Sequence, residues 1–461
     1  MNKQELNNKL DETKQRIQDL LQKAKREGIE EVEIYAGYYS GFEVSLEKND
    51  VNTSISSEET NFGVRVIANH CQGFVTTNNP DSLEGAIKDA KSIALAQNTP
   101  DPAMELPSPS DTPTQDIQGL YLQEMDSVSM EDIMHIANDI LLWQKEKYPL
   151  INIDSGNVSL DRGFKIIGNS KGTLASEMAA SMSAGFMGMA VDGDDIGSFD
   201  YDSATGRTPE LFQKDFSHSL ESFGEKCMGC LQAQNIGGFK GHILVPPQSV
   251  FSFLGDLLSS LTATQIRRKR SKFGDKLGEK VASPLLSIFE DPSIPSFGRS
   301  TAFDREGVAT EPKEIITTGV IKNFFYNHFE AKKAGLAASH GNASGSSSST
   351  PSCGPKQLQV IPGKSNLKDM FYADEKAILI NRFSGSSNSS SGDFSGSVKG
   401  GALLHKGNRT PVKELTISGN IYEVLNQITA ISRERKLLAS SSHVPWIQFS
   451  GIDITGMDEA S

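Results

Sequence analysis

Glu31-Val32-Glu33-Ile34-Tyr35-Ala36 is the stretch that decides the fold class. Val32, Ile34 and Ala36 alternate with Glu31, Glu33 and Tyr35, and the apolar series resumes at Phe42, Val44 and Leu46. A period of two sends successive side chains to opposite faces, so this stretch predicts a strand with one buried face. Further strand-like runs at 53–56, 64–68 and 73–77 are punctuated by Asn49-Asp50 and Gln72-Gly73. Short apolar runs between turn residues predict an antiparallel meander.

On either side of the meander the period changes. Leu6, Leu10, Ile17, Leu20, Leu21 and Ala24 recur at three- and four-residue spacing and stop at Gly28, which predicts an opening helix. A second helix is predicted at 82–97, with Asp81 as cap and Leu83, Ile87, Ala90 and Ala94 on one face. The stretch 99–113 carries Pro100, Pro102, Pro107, Pro109 and Pro113 and reads as an extended connector. Ser129 and Asp132 form a capping-box pattern before a third helix, 130–146, that buries Ile133, Ile136, Ala137, Ile140 and Leu141. More strands are predicted at 151–160 and 164–167, with a turn at 168–172, and Thr208-Pro209 opens a fourth helix running to about residue 233.

A glycine-rich step at 235–241 separates that helix from the next strand, so the domain division is placed there. The expectation is an α+β protein: residues 1–234 form an antiparallel sheet with packed helices, and residues 235–461 form a strand-rich domain with a mixed or barrel-like sheet. Two serine-rich stretches, 339–355 and 384–393, are too polar for a core and are predicted to be mobile surface loops.

A chain of 461 residues exceeds the usual span of one core, which agrees with two domains. Its net charge of -13 opposes nucleic acid and anionic membranes as partners. Neither an apolar run long enough to span a bilayer nor the apolar core of a signal peptide is present. Four cysteines spread over the chain make no disulfide framework, so a reducing cytoplasm is the expected location.

The eight histidines are widely spaced, the nearest two (His328 and His340) lying twelve residues apart, so no helical histidine pair exists to seat a catalytic zinc. Cys227 and Cys230 form a C-x-x-C late in a predicted helix; without a second pair it reads as two packed small residues. The basic run 266–272 reads as a solvated helix end. Neither a dinucleotide nor a phosphate-loop glycine motif occurs, and no spacing points to a Ser-His-Asp triad.

Several phrases taken together resemble the TldD/PmbA family. They are Gly241-His242-Ile243-Leu244-Val245-Pro246, residues 276–283, Phe303-Asp304-Arg305-Glu306-Gly307-Val308, residues 316–321, Val360-Ile361-Pro362-Gly363, Ser391-Gly392-Asp393-Phe394-Ser395 and residues 416–420. In the first half, Asn61-Phe62-Gly63-Val64-Arg65-Val66 and residues 73–77 are similar to the family's N-terminal meander. The resemblance implies two kinds of chain. TldD-type chains are zinc peptidases with H-E-x-x-x-H on a helix and a further ligand near the C-terminus. Here that motif aligns with Leu254-Gly255-Asp256-Leu257-Leu258-Ser259, and residues 432–445 hold no cysteine. This chain therefore resembles the PmbA/TldE branch.

The implied role is a non-catalytic subunit that shapes the cavity in which a TldD-type partner cleaves peptides or unfolded polypeptides. It would carry no cofactor, since the zinc is expected only in that partner, and would pair as a hetero- or homodimer. His340, Asn342, Asp393 and Phe394 are the candidates for peptide or partner contact. Two alternatives stay open: a peptidase acting through an unrecognised site, or a homodimeric protein-binding or regulatory protein.

Overall fold

The opening helix α1 (Lys3–Arg26) starts on a capping box in which Asn2 and Glu5 each accept the other's backbone N–H. Its Leu6, Leu10, Ile17, Leu21 and Ala24 are buried, as their spacing predicts. Strand β1 (Glu31–Glu47) pairs with β2 (Asp50–Ala68) through a two-residue turn, Lys48-Asn49, with positive φ at both positions. That geometry matches the twist of the flanking strands. The runs 53–56 and 64–68 are parts of this one long strand, because the polar residues between them face solvent while their backbone pairs with β1. The next turn falls at Asn69-His70, upstream of the expected Gln72-Gly73, and leads into β3 (Cys71–Thr77).

The structure, a computed structural model, describes residues 2–456 apart from 112, 114, 115, 373, 389, 439 and 440. Residue 112 of the proline-rich connector and residue 389 of the second serine-rich stretch therefore lie outside it. Helices α2 (Leu83–Ala96) and α3 (Met130–Lys147) follow, the latter on the Ser129/Asp132 capping box. Strands β4 (Ile151–Asn169), β5 (Leu174–Asp192), β6 (Asp195–Ile196) and β7 (Asp200–Gly206) complete a seven-stranded sheet. Its order is β3-β2-β1-β4-β5, with β6 and β7 both on β5. Helix α4 (Pro209–Met228) stops about one turn before the expected residue 233, at Gly229. All four helices contribute to one apolar core with the sheet, from Leu6 to Cys227.

The β4–β5 turn, 168–172, has G-x-S-x-G spacing, a pattern also found at nucleophile elbows. Here it joins two strands, and Ser170 Oγ is engaged by the Glu30 carbonyl and the Val32 N–H. It is a structural turn.

The second half opens with β8 (Phe239–Val245), α5 (Pro247–Ser260) and α6 (Ala263–Arg267). Then come β9 (Ile288–Glu290), β10 (Lys313–Thr317), β11 (Val320–Ile321), α7 (His328–Lys333), β12 (Ala343–Ser344), β13 (Ser352–Cys353) and β14 (Leu358–Val360). Helix α8 (Leu367–Tyr372) precedes β15 (Ala377–Leu379), β16 (Arg382–Ser387), β17 (Asp393–Lys399), β18 (Ala402–His405), β19 (Asn408–Pro411) and β20 (Leu415–Asn420). The short α9 (Ile421–Val424), β21 (Ile428–Leu438) and β22 (Ser442–Thr455) finish the chain. A mixed nine-stranded sheet runs β16-β17-β20-β22-β8-β15-β18-β19, with β21 on β22, and only the β8–β15 pair is parallel. Both large sheets curl. The class is α+β, as the segregated helix and strand runs predict. The second large core begins at Ile243, so the change of core falls between Cys227 and Ile243.

Three expectations meet definite outcomes. The stretch 339–355 is pinned rather than mobile. Arg305 donates to the Ser346 and Ser349 carbonyls, Asn327 to the Pro351 carbonyl, and β12 pairs with β13. The stretch 384–393 is largely a β-hairpin, with Ser387 opposite Phe394. Cys227 and Cys230 are free thiols buried deeply enough that desolvation pushes both upward, Cys230 to about 11, which leaves them protonated and inert. Among the described residues no helix is long and apolar enough to cross a membrane.

Candidate functional site

Four of the conspicuous phrases assemble in pairs at two places: 303–308 with 61–66, and 391–395 with 416–420. The first lies where the loop 303–308 packs on the outer face of the N-terminal sheet, through Ala302 and Phe303 against Ile167 and Ala175. Glu33 of β1 and Arg65 of β2 face each other across the strand pair. Arg305 bonds Glu33 at 2.9 Å, and Glu306 bonds Arg65 at 3.0 Å. None of the four side chains is more than 3% exposed. Burial opposes the charge on Arg65, but the adjacent carboxylates of Glu33 and Glu306 outweigh it and raise its pKa. The second oxygen of Glu306 accepts the His328 N–H, and the Arg305 guanidinium lies 4.3 Å from the Tyr35 ring centre.

Asp304 holds this loop in shape by accepting the N–H groups of Glu306, Val308 and Ala343. Burial pushes its carboxyl up to about 6. Gly307 has φ +80°, and a Cβ there would lie 2.7 Å from Thr173 Cγ2, so the site requires glycine on both counts. Beside it, Glu290 accepts the Asn342 side-chain amide and pairs with Lys313 at 3.0 Å. Two of the candidates sit here. Asn342 is fully buried in this wall, while the imidazole of His340 is exposed, 3.7 Å from Glu311. This region joins the halves and has its charges satisfied internally.

The second place is α5 and the β16–β17 hairpin. Leu254, Leu257 and Leu258 point into the C-terminal core with Phe253, Phe394 and Phe449. Gly255 and Asp256 are half-buried, and Ser259 is exposed. Ser252, Phe253 and Asp256 form one wall of a cleft of about 180 Å³, with Phe383, Gly385, Ser386, Ser387 and Phe394 opposite. The candidate Phe394 thus lines a cleft with Asp256 of the 254–259 segment, whereas His340 and Asn342 belong to the other region. Asp393 caps the hairpin end: Ser391 foremost, and then Asn420, which donates to its carboxylate at 2.9 Å, hold it below the usual carboxylate range. Gly392, at φ +89°, leaves only 2.3 Å between a notional Cβ and the Tyr422 ring, so that turn also demands glycine.

Strand β16 ends the nine-stranded sheet. Its sole partner among the described strands is β17, and residues 384–387 are exposed. One row of its backbone N–H and C=O groups therefore has no strand partner among the described residues, the chemistry that accepts an added extended strand. Sequence patterning missed this edge because a serine-rich stretch with almost no apolar residues carries no period-two signal.

Residues 240–456 match the model of the PmbA/TldA metallopeptidase C-terminal domain, and residues 32–94 match that of PmbA/TldA metallopeptidase domain 1. A metalloprotease PmbA homolog of Haemophilus influenzae is 24% identical over 404 residues, 85% of this chain and 85% of that one. A metalloprotease TldD homolog of the same organism is 27% identical over 173 residues, 37% of this chain and 36% of that one. The crystal structure of TldE from Thermococcus kodakarensis shares the fold with a TM-score of 0.87 at 21% identity, across 96% of this chain and 100% of that one. With both domain models matched in order and a relative aligned over most of its length, this chain belongs to the PmbA/TldD metallopeptidase family.

Proposed function

We propose that this chain is a non-catalytic TldE/PmbA-like subunit of a TldD/TldE-type zinc metallopeptidase complex. Its work is to shape the cavity in which a partner cleaves peptides or unfolded polypeptides. The observation that carries this reading is the side-chain set of α5 at the position that aligns with the family's zinc motif. Leu254, Leu257 and Leu258 are committed to the core, and the remaining three positions offer one carboxylate, one hydroxyl and one glycine. That donor set does not fit a zinc ion, which in proteins takes three or four cysteine, histidine or carboxylate ligands. The open edge of β16 beside this helix supports a role in holding an extended peptide through main-chain hydrogen bonds. The same reading divides the chain at residues 234 and 235, consistent with the change of core there, and leaves Asp393 and His340 as exposed candidates for partner contact.

The test is reconstitution with a TldD-type subunit. A stable complex is expected on size-exclusion chromatography, with zinc bound through the partner and peptide cleavage only when both chains are present. Ser387→Pro, which removes a β16 N–H on the side away from β17, is expected to reduce cleavage while the complex still forms. Stoichiometric zinc and peptide cleavage by this chain alone would overturn the reading.

A further inference from the structure

A larger cavity than the cleft beside α5 lies elsewhere, at a second junction of the halves. It encloses about 760 Å³ between α4 on one side and the C-terminal sheet with α8 on the other. That size is typical of ligand sites. Its charge is unlike that of the chain. Lys214, Lys226, Arg409, Arg435 and Lys436 line it against three carboxylates, Asp215, Glu221 and Glu225, a local excess of cations in a chain of net charge -13.

Those charges differ in what they are doing. Lys226 is held between Asp200 and Asp202, and Lys436 lies 3.6 Å from Asp202. Glu221 is taken up by Trp143 and Lys147, and Asp215 accepts the Thr205 N–H. The side chains of Lys214, Arg409 and Arg435 make no ion pair or hydrogen bond among the described residues, and that of Glu225 is the one lining carboxylate in the same condition. Helix α5 begins at the wall: Pro246 and Gln248 line the cavity, and no side chain caps the first turn. Pro246 and Pro247 carry no N–H and Ser249 donates its own to the Pro246 carbonyl, so this helix start offers the Gln248 N–H and the positive end of the helix dipole. Asn381, 5% exposed, also lines the cavity. Donors and cations in excess select an anion. The apolar lining, Trp446, Phe371 and Leu379 among it, selects a ligand with an apolar side.

We infer that this cavity binds the free C-terminal carboxylate of a peptide ending in an apolar residue, with Arg409 and Arg435 on the carboxylate and Trp446 against the side chain. The choice of a peptide rests on the function proposed above; the choice of a carboxylate rests on the cavity alone. A carboxylate engaged by guanidinium groups forms charge-assisted hydrogen bonds that an amide end cannot replace. The cavity and β16 share one stretch of chain, since Leu379 and Asn381 line the first and Phe383, Gly385, Ser386 and Ser387 line the smaller cleft. A peptide end held in the cavity would thus leave the binding edge a few residues away along the same chain.

The chain has two tryptophans, so Trp143→Phe leaves Trp446 as the only indole and a reporter inside the cavity. Full-length Trp143→Phe chain is titrated with N-acetyl-Ala-Ala-Phe as the free acid and as the C-terminal amide, following indole emission. Calorimetry on the unsubstituted chain gives the same comparison without that change. The acid is expected to bind about tenfold or more tightly than the amide, and Arg409→Gln and Arg435→Gln each to erase about that preference. Equal binding of acid and amide, no binding of either, or an acid preference unchanged in both arginine variants would overturn the inference. No partner subunit is needed. Acid-selective binding with failed reconstitution therefore removes the proposed function and leaves the site, and the reverse result removes the site alone.

Discussion

The two halves of this chain meet at two places built from the same residue types with opposite results. At the Glu33–Arg65–Arg305–Glu306 contact, each arginine lies against a glutamate at 3.0 Å or less, all four are sealed from solvent, and glycine and aspartate fix the loop that delivers two of them. At the α4 cavity, arginines and a lysine stand exposed around an open volume with no ion pair among the described residues. Buried charge is tolerated only when paired and hydrogen-bonded, so the first arrangement specifies how the halves sit together. Charge left unpaired beside a cavity adds little to the fold and remains free for a ligand. The presence of arginine says nothing about which of these it serves; its partners do.

The comparison predicts a gradient of effects. Arg65→Met leaves Glu33 and Glu306 buried with a missing partner and is expected to lower unfolding free energy by about 3–5 kcal/mol in urea titration. A loss below 1 kcal/mol would mean that the sealed contact is not holding the halves. Leu257→Ala, which opens space in the core under α5, is expected to cost about 2–5 kcal/mol, because that leucine is fully buried in this chain's own core. If it instead left stability unchanged but broke a complex, α5 would be an interface helix.

The third prediction concerns pH. Asp304 titrates at about 6 in the folded chain, above its ordinary range, so the native state holds its proton more tightly than the unfolded chain from about pH 4 to 6. Its contribution is therefore greatest at acid pH and declines as pH rises through that window. The advantage of the unsubstituted chain over Asp304→Asn should be greater at pH 4.5 than at pH 7.5, and a gap that widens with pH would contradict the assignment. Least of all, Arg435→Gln at the open cavity is expected to change stability by no more than about 0.5 kcal/mol, whatever it does to ligand binding. A large destabilisation would show that the cavity charges are structural after all.

Much of the architecture was legible because its causes are local. The spacing of Leu6, Leu10, Ile17 and Leu21 is the helix α1, and Ser129 with Asp132 is a cap visible four residues at a time. Val32, Ile34 and Ala36 face one way in any strand. Less legible were lengths and turns. Glu58 and Glu59 look like a loop in sequence, yet pairing with Ser40 and Tyr39 keeps β2 continuous, because a strand needs a neighbour more than it needs apolar residues. The stretch 339–355 looks mobile by composition, but carbonyls anchored by Arg305 fix it in place.

The site was legible only in part. By itself the sequence determined that no two of the eight histidines lie closer than twelve residues and that leucines recur at 254, 257 and 258. Periodicity marks which side of α5 is apolar, but it cannot say whether that side meets the same chain or another. The tertiary structure decided that Leu254, Leu257 and Leu258 enter this chain's own core, leaving Ser252 and Asp256 on a cleft beside an open strand edge. It also decided which charges are spent. Arg65 and Glu306 stand 241 residues apart, and Glu33 and Arg305 stand 272 apart. Pairing at such separations is created by the fold that brings two surfaces together, and no local pattern encodes it.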